Sequence, residues 1–196
     1  CEGGSKFNLK SHLYGDPDAM IGTFMRIDIP ILGFLDEFVF YTDVDVMFKG
    51  EVDWNTILEG ADPDAIRKAN DFASGQFQFS PPGKPGLPLY FSASSEMSKS
   101  EDPFFLNAGV MLLNMRSLRN TYDRFLAFIF ADEDLNWGDG PGDQGAYRAF
   151  YKQREEEKEE KSKSSEMSTR DNFLPYELNW KPYWEPNDRA RVIHFH

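Results

Sequence analysis

Cysteine is nearly absent from this chain: Cys1 is the only one among 196 residues. That excludes an internal disulfide framework and any zinc site built on several thiolates. Basic residues are also scarce, with 21 Lys and Arg against 33 Asp and Glu, for a formal net charge of −12. A generally basic nucleic-acid binder is excluded on that balance, because neutralising phosphates takes clustered Lys and Arg. By the same logic, a groove for an anionic ligand needs a cation supplied from outside. No apolar run approaches the roughly 20 residues of a membrane span, and no signal-peptide pattern stands at the start. The first residue is Cys rather than Met, so the natural start of the protein is expected upstream.

What is present describes a globular domain. Hydrophobic residues make up 40% and aromatic residues 15%, a composition far from that of a disordered chain. The length suits one domain with a real core. The acid excess is uneven: residues 1–66 hold 13 acids and 4 bases. The conspicuous run from Lys152 to Glu166 holds 6 acids and 5 bases and is nearly neutral. It is expected as a solvated surface insertion at about 152–169, helical or disordered.

Periodicity and punctuation predict alternating strands and helices, hence an α/β domain. A helix or extended lead-in over 19–31 is expected to stop near Pro30. Phe38-Val39-Phe40-Tyr41 predicts a short buried strand with acids at its carboxyl end. Residues 61–70 suit a helix with Asp62 as N-cap and Pro63 in its first turn. A Pro/Gly-rich loop is expected over 79–90, an apolar strand over 108–114, and a helix over 117–131. A turn at 138–142 leads to a helix from Asp143 to Tyr151, and 191–196 closes the chain as a strand.

The chemistry-bearing signal is Asp43-Val44-Asp45 after the apolar run. In extended backbone the two carboxylates share a face and repel. A hard divalent cation such as Mg²⁺ or Mn²⁺, gripping a phosphate as well, would resolve that conflict. A surface turn whose acids bond to backbone amides is the plainer alternative. An Asp-x-Asp after an apolar strand also opens haloacid-dehalogenase-type phosphatases. Gly138-Asp139-Gly140-Pro141-Gly142-Asp143 fits their later Gly-Asp-x-x-x-Asp pattern, but Met47 stands where they carry Thr or Val. His194, alone on an apolar strand, reads by itself as a core histidine.

Further segments shift that balance. Phe104 to Asn114 forms a distinctive string, Asp143-Gln144-Gly145-Ala146 opens a helix, and Arg191-Val192-Ile193-His194-Phe195 lies at the end. Met25-Arg26-Ile27-Asp28-Ile29-Pro30 precedes the acid pair, and Leu174-Pro175-Tyr176-Glu177-Leu178-Asn179-Trp180 precedes the terminal strand. In this order over residues 20–196, the motifs resemble glycosyltransferase family 8, the retaining sugar-nucleotide transferases that include glycogenin-like enzymes. The resemblance implies a GT-A fold, a Rossmann-like mixed sheet flanked by helices, as a single partial domain over 1–196, incomplete at both ends. A nucleotide-binding strand before the lead-in and a Gly/Lys-Pro segment after His196 are what the family would add.

The resemblance further implies a metal-dependent transfer from a nucleotide-diphosphate sugar, with UDP as the nucleotide. Asp43, Asp45 and His194 match its Mn²⁺ (or Mg²⁺) ligands. Arg26 matches an arginine near the diphosphate or donor sugar, and Val44, Asn107, Ala108 and Gly109 match donor-lining positions, with Gly109 allowing close backbone approach. Asp143 and Gln144 match the catalytic pair beneath the anomeric carbon. Retention would run by double displacement or by front-face attack; Gln144, a neutral amide, is a poor nucleophile and is assigned positioning. The acceptor is a carbohydrate, protein or lipid. The setting is the Golgi or secretory lumen if the chain is anchored upstream, and the cytoplasm otherwise. A non-catalytic sugar- or nucleotide-binding module of the same fold is the alternative from another class.

Overall fold

The computed structural model describes residues 22, 24–57, 90–95, 106–131, 142–161 and 174–195. The chain is mixed α/β and divides into two interleaved compact units, Cys1–Leu35 with Leu118–Ser165 and Asp36–Ser117 with Glu166–His196.

The second of these holds the strands. Strand β1 (Phe38–Thr42) is followed by a short β2 (Val46–Phe48), and β3 (Phe91–Ser95) precedes the long β4 (Leu106–Asn114). β4 is central in a three-stranded sheet of order β1-β4-β3. Its nine residues are all buried, as a near-continuous apolar run in a covered strand should be. β1 pairs antiparallel with it, Phe40 opposite Leu112 and Thr42 opposite Val110. β1 itself is half-buried rather than buried throughout, because it is the edge strand of the described sheet. β3 pairs antiparallel on the other side, with an irregularity between Ala93 and Ser95.

The described strand pairs are therefore antiparallel, where a mixed sheet was expected. Only ten residues separate β3 from β4, fewer than the dozen or so that a parallel crossover needs. One isolated parallel bridge, Trp180 to Ile193, is present. It borders a second sheet in which β2 pairs antiparallel with β5 (Val192–His194), Val46 facing His194.

One buried apolar cluster joins Val110 and Leu112 of β4, Val192 of β5, and Leu174, Leu178 and Ile57, with Phe38, Phe40 and Trp54 packed around them. Trp54 begins helix α1 (Trp54–Ile57), whose N-cap is Asp53: its Oδ1 accepts the Thr56 N–H at 2.8 Å. Leu178 ends a 3-10 turn (Tyr176–Leu178) that follows Pro175.

Among the described residues the other unit holds most of one helix, all of a second, and a 3-10 segment. Helix α2 (Met115–Phe130) matches the expected 117–131 closely. Helix α3 (Gly142–Lys161) runs ten residues past the expected end at Tyr151, because Lys, Glu, Gln and Arg are good helix formers that continue it into the charged run. Residues 162–169 of that insertion, the expected helix at 61–70, the loop before Tyr90, the turn before Gly142, and His196 lie outside the described residues. Phe125 of α2 meets Tyr147, Phe150 and Tyr151 of α3 at ring separations of 4.9, 5.0 and 5.2 Å. Met25–Ile31 is a 3-10 helix that contains Pro30 and ends one residue past it, as the expected stop near Pro30 has it; the locked φ of proline suits that geometry. Arg119 fastens it to α2 by donating to the Pro30 carbonyl at 2.6 Å and to that of Phe34. Among the described residues no helix is long and apolar enough to cross a membrane.

Leu112 is buried in the strand core, so Leu112→Ala is expected to cost about 2–5 kcal/mol of stability by urea unfolding. The carboxyl of Glu37 is raised above its ordinary range by burial, against an opposing pull from Arg116. The folded state therefore holds this proton more tightly than the unfolded state. The corresponding stability is present below the unfolded value, about pH 4, and is lost as pH rises through the folded value. Urea midpoints should show Glu37→Gln more stable than wild type at neutral pH, with the difference vanishing in acid.

Candidate metal centre

The site begins with the β1–β4 ladder. It continues one residue beyond β1, where the Asp43 N–H donates to the Gly109 carbonyl at 2.7 Å. The chain then bends at Val44 and Asp45 before entering β2. This bend, rather than the period of an extended strand, turns Val44 outward, fully exposed, between two acids. Asp45 is next to Val46, which faces His194 across the β2–β5 pair. The Phe195 N–H donates to the Asp45 carbonyl at 2.9 Å and extends that pair. Two independent ladders thus bring the beginning and the end of this unit together.

One ligand atom from each of Asp43, Asp45 and His194 falls in a cluster whose members lie within 4.8 Å of one another. His194 Nε2 is 3.4 Å from Asp45 Oδ1, with the imidazole 2% and the carboxylate 42% exposed. Tyr41 donates its hydroxyl to Asp43 Oδ1, which orients that carboxylate. The cluster offers hard anionic oxygens on an accessible side and a buried imidazole nitrogen behind them. That donor set suits Mg²⁺ or Mn²⁺, with the nitrogen favouring Mn²⁺.

Asn107, Ala108 and Gly109 lie inside β4, all buried; the strand begins two residues before the expected 108. A Cβ on Gly109 would stand 2.8 Å from both ring nitrogens of His194. The space left by the missing side chain is filled by the imidazole, so this glycine permits the close approach of a histidine. Asn107 Oδ1 accepts the Gly109 N–H at 3.1 Å and the Asn179 carboxamide N–H at 3.1 Å. Asn179 Oδ1 in turn lies 3.0 Å from His194 Nδ1 and accepts from Lys181 Nζ at 3.1 Å. Lys181 Nζ is also 3.0 Å from His194 Nδ1.

Lys181 is fully buried beside the imidazole, and sequence reasoning did not single it out. Two signals were available. Pro182 biases Lys181 toward extended backbone, and residues 179 and 181 then share a face at the strand period. Trp180 between them is locked to β5 by two backbone bonds of 2.9 Å, to the Val192 carbonyl and from the His194 N–H.

The remaining expected residues belong to the other unit. Arg26 Nε meets Asp143 Oδ2 at 2.6 Å, with both side chains nearly buried. The structure therefore pairs with each other two groups that were expected to face a ligand. Asp143 opens α3 after Gly142, which takes a left-handed φ of 69°. Gln144 follows it, half-buried.

Gly109→Ala is expected to displace the imidazole, costing about 1–3 kcal/mol of stability for the forced shift, and to weaken Mn²⁺ binding if the cluster holds that ion. Thermal unfolding and calorimetric Mn²⁺ titration read the two effects separately. No protein-family model matches this chain, and no curated protein matches it.

Proposed function

We propose that this protein is a metal-dependent retaining glycosyltransferase of the GT-A type, similar to glycosyltransferase family 8, that uses a UDP-sugar donor. The observation carrying this reading is the convergence of the neighbouring Asp43 and Asp45 with His194, a histidine far along the chain from them; the sequence resemblance marks all three as metal ligands.

The donor set passes a fit test. Ligands about 2.1 Å from one octahedral cation stand roughly 3 to 4.2 Å apart. Atoms already within 4.8 Å of one another need to close by about 0.6 Å at most for a trans pair and about 1.8 Å at most for a cis pair, which rotation of the carboxylate side chains can supply. A bound Mn²⁺ or Mg²⁺ supplies Lewis acidity and charge neutralisation for a departing diphosphate.

The chain's own residues do the rest. Asp43 and Asp45 hold negative oxygens at the edge of the sheets, and the Gly109 carbonyl anchors the Asp43 backbone. His194, held by β2 on one side and the Trp180 segment on the other, presents its ring from a buried position. The assignment of Asp143 and Gln144 to the sugar rests on the resemblance.

Asp45→Asn in the full-length protein keeps the size of an exposed side chain and removes one anionic ligand. It is expected to abolish Mn²⁺-dependent turnover of UDP-sugars while leaving the thermal unfolding midpoint within a degree or two of wild type, since exposed substitutions change little. Turnover at the wild-type rate would overturn the metal assignment.

A further inference from the structure

Behind the imidazole lies a chain of hydrogen bonds whose polarity is set at one end by the backbone. A main-chain N–H can only donate, so the Asn107 atom facing the Gly109 N–H must be its oxygen. That oxygen also faces the Asn179 carboxamide at 3.1 Å, and an oxygen requires a donor there. Asn179 therefore turns its nitrogen toward Asn107 and its oxygen toward His194 Nδ1, 3.0 Å away. An obligate acceptor at that distance favours a proton on Nδ1, which leaves the Nε2 lone pair directed to the carboxylates.

Lys181 pulls the other way. Its ammonium, 3.0 Å from Nδ1, would donate to a bare Nδ1 and place the ring proton on Nε2. In that tautomer the Nε2 proton would have to reach Asp45 Oδ1 at 3.4 Å, beyond the usual 2.7–3.2 Å of an N–H···O bond. With the proton on Nδ1, the ring bonds to Asn179 at 3.0 Å, and Lys181 keeps its own bond to Asn179 at 3.1 Å. The distances favour the first arrangement.

We propose that Asn179, oriented through Asn107 by the Gly109 backbone, is a positioning residue that holds His194 in the Nδ1–H tautomer and so aims a bare Nε2 at Asp43 and Asp45. The inference rests on the metal-centre reading above and extends it to the residues that prepare the site before any cation arrives. Neutral imidazole ligates a metal through its lone pair, and the partner of the other ring nitrogen decides which nitrogen carries it.

Nitrogen NMR of the imidazole rings in the metal-free protein tests this directly, with His194 assigned against His12→Gln and His196→Gln variants. The expected result is a protonated Nδ1 and a bare Nε2 on His194; the reverse pattern overturns the proposal. Asn179→Leu should lose that preference and bind Mn²⁺ about 10- to 100-fold more weakly by calorimetry. Asn179→Asp, which keeps an acceptor toward Nδ1, should retain the tautomer even where both variants lose stability. Loss of the preference in both variants would mean that Asn179 acts through packing alone, and unchanged Mn²⁺ affinity in Asn179→Leu would remove it from the metal centre. A wild-type protein that binds no Mn²⁺ overturns the metal reading, while the metal-free spectrum still decides the tautomer.

Discussion

A missing side chain in the middle of the most buried strand organises the site. Gly109 lies in β4, and a Cβ there would stand 2.8 Å from both nitrogens of the His194 ring. Its carbonyl takes the Asp43 N–H, and its own N–H goes to Asn107. One residue therefore contributes empty space to the imidazole, an acceptor to one acid's backbone and a donor to the polar chain behind the ring. Asp45 needs no contact with it, since the β2–β5 ladder carries that acid to the same place.

The same strand shows a division of labour along its length. Val110 and Leu112 pack into the cluster with Leu174, Leu178 and Val192, and their burial supplies the hydrophobic stabilisation. Asn107 and Gly109, a few residues earlier, face a buried polar chain of Asn179, Lys181 and His194. Burying such groups costs free energy unless hydrogen bonds satisfy them, and an apolar filling of equal volume is often no less stable. A network of this kind specifies the orientation of one ring far more narrowly than apolar packing could. Stability and ligand geometry are thus assigned to adjacent stretches of one strand.

Much of this was legible in the residues. The apolar string over 108–114 and the periodic helix over 117–131 are burial patterns, and they emerge as β4 and α2 within a few residues. The acid pair was legible as a ligand type, whereas His194 read by itself as a core histidine and only the family resemblance set it beside the acids; the structure brings the three together. Strand direction was not legible, because it depends on how the connections return; the short link before β4 made the pairing antiparallel. The bend at Val44 and Asp45 was likewise hidden, since two acids at period two suggest a straight strand as readily as a turn. Lys181 was the least visible. A lysine between tryptophan and proline suggests surface, and only the backbone locking of Trp180 on β5 carries its neighbour inward.

The candidate acids also differ in where their counter-charge comes from. Asp143 meets a guanidinium within the protein, at 2.6 Å from Arg26, a charge-assisted contact of the stronger kind. Asp45 meets an imidazole nitrogen at 3.4 Å and is 42% exposed. A carboxylate closed by a buried guanidinium has little to gain from a divalent cation, whereas two neighbouring carboxylates that can share a cation with an imidazole nitrogen have more to gain. Carboxylates are plentiful in the chain, with 33 acids against 21 bases. The distinction between Asp143 and the Asp43–Asp45 pair is therefore one of partner chemistry rather than charge density, and partner chemistry is what makes this one cluster a candidate to draw a cation from solution.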